Sequence, residues 1–186
     1  MELATASTPK TPATPLAAIT IRSPRREDGA TVWQLVADTA SLDDNSMYCN
    51  LLQCSHFAST CAIAEIDGEV VGWLSGYIAP EHPDTYFVWQ VCVAENARGR
   101  GLAKRLINAV LARRVCADIR RIQSTITSDN RPSWALFGSV AETLAADLVR
   151  QPYFRRDDHF AGRHDTEFLV TIGPFERETL PLREVA

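Results

Sequence analysis

No apolar stretch in this 186-residue chain reaches the roughly 18 residues that a membrane-crossing helix needs. The opening Met1 to Leu16 has neither a basic start nor an apolar centre, so no secretory leader is expected and the location read from the sequence is cytoplasmic, away from a membrane. Positive charge is not in excess. Lys and Arg total 19 against 23 Asp and Glu, a formal net charge of −4, which argues against phosphate-backbone binding and so against nucleic acid as the partner. A small cation is the easier guest. The five cysteines form no CxxC pair. Cys49, Cys54, His56 and Cys61 lack the second cluster of a structural metal site, so no metal is expected.

What is present is ordinary for one globular domain: 46% hydrophobic and 23% charged residues, with no internal repeat. Residues 1–18 are rich in Thr, Pro and Ala and cannot bury enough surface to offset ordering entropy, so they read as a disordered tail. The domain is expected over residues 19–175, with a second tail at 176–186.

A short strand is expected at Ile19 to Ile21, then a helix with Val32, Trp33, Leu35 and Val36 as its apolar stripe. A second helix is expected near Ser46 to Gln53, with Met47, Leu51 and Leu52 on its apolar face and Tyr48 beside them. Cys61 to Ile66 and Glu69 to Ile78 flank Asp67-Gly68, a dipeptide suited to a tight hairpin turn. Pro80 to Asp84 reads as a loop, and Tyr86 to Val93 as the central strand, buried on both faces. Leu102, Leu106, Ile107, Val110 and Leu111 recur at helical spacing between Gly101 and Val115. A strand at Ile122 to Thr127, a helix from Ser133, a polar stretch Gln151 to Asp165 and a last strand Glu167 to Ile172 follow. Hairpins first and a strand–helix–strand crossover later predict an α/β fold: a mixed, mostly antiparallel sheet with helices on both faces.

The chemistry is expected where the central strand runs through Val91, Cys92 and Val93 into Arg98, Gly99, Arg100, Gly101, Leu102 and Ala103. A glycine-containing turn that opens a helix presents unpaired N–H groups and a favourable helix dipole to an anion such as a pyrophosphate; the plain alternative is a connection in which glycine merely makes the turn. Neither a Walker loop nor a dinucleotide GxGxxG is present, since Lys104 stands in the place of the third glycine.

The spacing Arg98-x-x-Gly101-x-Ala103 resembles the R/Q-x-x-G-x-G/A signature of the GNAT (GCN5-related N-acetyltransferase) family, and the order of elements from residue 19 onward is similar to that fold. The resemblance implies acetyl-CoA as co-substrate. Main-chain groups of Val91, Cys92 and Val93 would pair with its pantetheine arm, amides from Arg98 to Ala103 would hold its pyrophosphate, and Asn130 would bind near the sulfur. Many members carry a tyrosine seven residues after that asparagine as the acid for the leaving thiolate; this chain has Phe137.

Leu42-Asp43-Asp44-Asn45-Ser46-Met47-Tyr48, His56-Phe57, Val88 to Val91, His159-Phe160 and His164-Asp165-Thr166-Glu167 resemble the branch of the family that acetylates the 4-amino group of L-2,4-diaminobutyrate on the way to the osmoprotectant ectoine. On that resemblance the partners are a small diamino acid and acetyl-CoA, and the chain pairs as a homodimer. Asp43, Tyr48, Trp89, Asp165 and Glu167 are the expected substrate-binding residues.

An amine with a pKa near about 10 must lose a proton before it attacks a thioester, and Glu167, Asp43 and His164, in that order, are the candidate catalytic bases. Arg22 and Arg163 are candidates for the substrate carboxylate. Other readings stand beside these: Asp43 as a helix cap, Trp89 as core, the His residues as solvated, another small amine as substrate, or an acyl-CoA module without turnover.

Overall fold

The computed structural model describes residues 18–39 and 45–176. Residues 1–17, 40–44 and 177–186, which carry Asp43 and nearly all of both expected tails, lie outside the described residues. The elements in chain order are β1 (Ile19–Arg22), α1 (Gly29–Ala37), α2 (Met47–Ser55), β2 (Ala62–Ile66), β3 (Glu69–Ala79), β4 (His82–Val93), α3 (Leu102–Leu111), β5 (Arg121–Thr127), α4 (Arg131–Thr143), β6 (Leu148–Phe154) and β7 (Glu167–Ile172). They build one seven-stranded sheet in the order β1-β2-β3-β4-β5-β7-β6, antiparallel except for the β4–β5 pair.

Alternation along the strands divides the interior. Ala62, Ala64, Leu74 and Val88 face one side with the inner stripes of α3 and α4, while Ile63, Trp73 and Cys92 face the other with Val32, Leu35, Val36 and Cys54. All five apolar positions expected on α3 are buried, each contributing about 1.5–3 kcal/mol relative to exposure. The hairpin β2–β3 turns at Asp67 (φ 51°) and Gly68 (φ 84°), both positive as the tight turn requires.

Four expectations are corrected. Two of the three residues expected on the inner face of α2 are exposed, Met47 at 41% and Leu51 at 37%, with Tyr48 beside them at 69%; Leu52 is half-buried, and Asn50, Gln53 and Cys54 are buried. The inner pair satisfies part of its hydrogen bonding locally, Asn50 Nδ2 donating to Gln53 Oε1 at 3.0 Å. The 80–84 loop shrinks to a tight turn because β4 already begins at His82. Beyond Leu111 the main helix gives way to a short 3-10 turn at Arg114–Cys116. An additional strand, β6, begins at Leu148 and runs into the polar stretch; among the described residues it pairs only with β7 and is exposed along most of its length. An edge strand of that kind buries no alternating face, and Pro152 is tolerated in it for the same reason.

Arg22 is occupied. Its guanidinium donates to Asp28 Oδ2 and Oδ1 at 2.7 and 2.8 Å and to Glu65 Oε1 at 2.6 and 3.0 Å, so it ties β1 and β2 to the start of α1 and is not available to a substrate carboxylate. These bonds hold the Asp28 carboxyl below its usual range. A folded-state value below the unfolded one adds stability that is full above about pH 4 and is lost as pH falls through the lowered value. Denaturant titrations should therefore show a loss of stability under acid in the parent chain and a shallower one in Arg22→Met; equal acid slopes would remove this ion cluster as a source of stability.

Candidate active site

Strand β4 is bent where it matters. Ser75 opposes Gln90 and Gly76 opposes Val88, leaving Trp89 as an extra residue in a bulge. On the other edge the parallel ladder to β5 runs only from Thr85–Arg121 to Phe87–Gln123. The Ser124 hydroxyl still donates to the Val88 carbonyl at 3.0 Å; beyond it the two strands part and leave a wedge open toward their C-terminal ends.

Hydrogen-bond direction alternates along an antiparallel strand. The N–H groups of Gln90 and Ala94 point toward β3, to Ser75 Oγ at 3.1 Å and the Val71 carbonyl at 2.8 Å. Val91 and Val93 therefore aim their peptide groups into the wedge. Cys92 does not: its peptide groups face β3 and its thiol lies in the second core, which corrects the expectation that all three residues meet the cofactor. Burial pushes that thiol up to about 11, so Cys92 stays protonated and is no nucleophile.

Beyond Val93 the chain turns through Gly99 (φ 76°) and Gly101 (φ 68°) into α3. A Cβ at either glycine would meet nothing within 4 Å; backbone conformation, not crowding, requires glycine here. The first helical bond runs from Arg105 N to the Gly101 carbonyl at 3.1 Å, so the amides of Leu102, Ala103 and Lys104 have no acceptor within the helix. They open on a cavity of about 370 Å³ lined by Val93, Arg98, Gly101, Lys104, Leu136 and Ser139 among others. Leu102 sends its side chain into the core, while Arg100 is exposed. The Arg98 Nε donates to the Val93 carbonyl at 3.2 Å, bracing the turn against the strand.

Asn130 caps α4, its Oδ1 accepting from Ser133 N at 3.2 Å, which leaves the amide nitrogen as the atom to meet a ligand. Phe137 is 1% exposed within the main core. It supplies no proton.

Glu167 opens β7 and pairs with Thr127 at the end of β5. Thr127 lies four residues past the last β4–β5 pair, and Val91 lies four past it on β4 with the bulged Trp89 among them, so Glu167 stands within about one residue of the level of Val91 across the wedge. Its Oε1 is 3.9 Å from His164 Nε2. His164 Nδ1 lies 2.7 Å from the Asp165 carbonyl, which only accepts, so Nδ1 carries a proton and Nε2 is the ring nitrogen that faces Glu167. The Asp165 carboxylate points elsewhere, accepting from Arg156 at 3.0 Å on the surface. The Asp165 carbonyl is the group that meets His164. Arg163 is exposed, and its amide bonds back to the Phe160 carbonyl at 3.0 Å.

On the β4 side Trp89 is 45% exposed, so it is not core. Gln90, buried beside it, accepts from Asn45 Nδ2 at 2.8 Å and thereby draws the start of α2, with exposed Tyr48, to the middle of β4. This contact escaped sequence reading although LDDNSMY was singled out, because nothing along the chain pairs Asn45 with Gln90. Among the described residues no group of three His, Cys, Asp or Glu stands together as a metal site.

Residues 28–140 match the model of the acetyltransferase (GNAT) family. The chain is 51% identical over 163 residues to an L-2,4-diaminobutyric acid acetyltransferase of Methylotuvimicrobium alcaliphilum, covering 88% of this chain and 95% of that one. It is 47% identical over 161 residues to the protein of the same name from Chromohalobacter salexigens, covering 86% and 83%. Among solved structures it is similar to the diaminobutyrate acetyltransferase EctA of Paenibacillus lautus in complex with L-2,4-diaminobutyric acid and coenzyme A, with TM-score 0.81 and 36% identity over 88% of this chain and 99% of that one. The parted strands, the uncapped glycine turn and likeness over most of the chain agree: this protein belongs to the acetyltransferase (GNAT) family.

Proposed function

We propose that the chain transfers the acetyl group of acetyl-CoA to the 4-amino group of L-2,4-diaminobutyrate, giving the N4-acetyl product that precedes ectoine. The observation that carries the reading is the 51% identity over 163 residues to a protein of that activity, joined to a carboxylate, Glu167, set across the wedge from Val91.

The residues divide the work by position. The wedge accepts the pantetheine arm along the peptide groups of Val91 and the N–H of Val93, with its pyrophosphate at the amides of Leu102 to Lys104 and the Asn130 amide nearer the sulfur. Tyr48 and Trp89 form the aromatic wall for the diamino acid, and Asp43 is the second carboxylate for its ammonium groups. Glu167 takes the proton of the attacking amine, with His164 holding the carboxylate in place. A main-chain N–H of Val91 or Val93 meets the oxyanion. The tetrahedral intermediate collapses, the C–S bond breaks, and solvent protonates the thiolate where other members use tyrosine. Transfer is direct, with no acyl-enzyme.

Acetyl-CoA as donor makes the cytoplasm the compartment this reading requires. A second copy of the chain is the partner we assign to the open β6 edge, where Val149, Tyr153 and Phe154 are exposed.

The test is thiol release from acetyl-CoA with L-2,4-diaminobutyrate, ornithine, lysine and spermidine in parallel, followed by NMR of the product. Preference for diaminobutyrate with acetyl on N4 is expected. Turnover of the other amines alone would overturn the substrate, and CoA binding with no release from any amine would overturn the enzyme.

A further inference from the structure

The first turn of α2 is held from outside itself. Met47 and Tyr48 are exposed and Cys49 is half-buried, so no side chain of that turn is buried against the body; burial begins only at Asn50. What fixes the turn is Asn45, the residue before the Ser46 cap. Its side chain donates to Gln90 Oε1 at 2.8 Å, and its carbonyl accepts from Trp33 Nε1 at 3.1 Å. Gln90 is 6% exposed and is itself seated at the bulge of β4, its N–H donating to the hydroxyl of the fully buried Ser75 at 3.1 Å.

Both ends of this joint adjoin an aromatic residue of the site. Gln90 directly follows Trp89, and Asn45 stands three residues before Tyr48. Removing the acceptor would leave the Asn45 amide without its partner in a part-buried place, so the joint resists stretching. We infer that the Asn45–Gln90 bond, backed by Trp33, sets the spacing between Tyr48 and Trp89 and so selects the chain length of the diamino acid. Asn45 and Gln90 are then positioning residues, acting through the two aromatic rings. The inference rests on the diaminobutyrate reading above. Ornithine is one methylene longer than diaminobutyrate, and a pocket of fixed width separates such homologues by about 10- to 200-fold.

The test measures kcat and KM for L-2,4-diaminobutyrate, ornithine and acetyl-CoA in the parent chain, Gln90→Met, Gln90→Asn, Trp33→Phe and the pair Gln90→Asn with Asn45→Gln, alongside amide hydrogen exchange at Met47 to Cys49. Gln90→Met keeps the length of the side chain and removes the acceptor. It should raise KM for diaminobutyrate about tenfold, the loss of one buried hydrogen bond, and speed exchange in the first turn of α2, while kcat at saturation and KM for acetyl-CoA hold. Ornithine should change little, so the preference for the shorter amine falls. Trp33→Phe, which keeps the apolar face of α1, tests the other half of the joint and should shift the preference the same way by less. Gln90→Asn withdraws one methylene and Asn45→Gln returns it, so the pair should recover most of the preference that Gln90→Asn loses. An equal rise in KM for both amines, a matching rise for acetyl-CoA, or a pair no better than Gln90→Asn would reduce the joint to a structural tie and overturn the inference. A parent chain that releases no thiol with any amine would overturn the acetyltransfer reading, and the inference with it.

Discussion

Glu167→Gln should lower kcat by about 10²- to 10⁴-fold, the range for loss of a positioned proton acceptor, with KM for acetyl-CoA little changed. Glutamine keeps the shape of the side chain and the β7–β5 pairing at Thr127 but cannot take a proton from the amine. The substitution therefore separates chemistry from folding. We assign the proton to Glu167 before His164 because Glu167 opens a strand beside the wedge, whereas the imidazole is fixed through its Nδ1 to the Asp165 carbonyl and faces the glutamate. His164→Ala should accordingly cost less than Glu167→Gln. Steady-state kinetics with a thermal melt on each variant checks the order. A Glu167→Gln enzyme within threefold of the parent in kcat would transfer the role to Asp43 or to solvent.

Gly101→Asp should raise KM for acetyl-CoA on the order of 100-fold, the equivalent of two charge-assisted hydrogen bonds. The new carboxylate would stand at the three amides that the pyrophosphate needs and would repel it. Stability should change much less. A positive φ costs a non-glycine residue about 1–2 kcal/mol, a Cβ there touches nothing within 4 Å, and Asp at a helix start offsets part of the strain by capping. Gly101→Ala separates the two effects, since it carries the strain without the charge and should raise KM only slightly. Equal KM values for Gly101→Asp and the parent would place the pyrophosphate elsewhere.

Local signals carried much of the molecule. Asp67-Gly68 determined a hairpin turn because few dipeptides accept two positive φ angles, and the stripe from Leu102 to Leu111 determined both a helix and its buried face. The glycine turn at 99–101 was legible for the same reason, since a backbone conformation leaves its mark on residue type. Glu167 and His164 were named from the sequence through a family resemblance, not through any spacing of their own.

Tertiary structure decided the rest. Met47 and Leu51 look like core to any periodicity argument, and only the packing of Asn50, Gln53 and Cys54 against the body turns them outward while Leu52 stays half-buried. β6 was invisible because an edge strand has no buried face to impose alternation. The parting of β4 from β5 past Phe87 and Gln123, and which of Val91, Cys92 and Val93 faces the wedge, depend on the register of β4 against its two neighbours. Local sequence thus determined turns, helix faces and a place for an anion, which are properties of neighbouring residues. Distances between Asn45 and Gln90 or between Arg22 and Glu65 belong to residues that meet only when the sheet is assembled, and hydrophobic patterning carries no record of them.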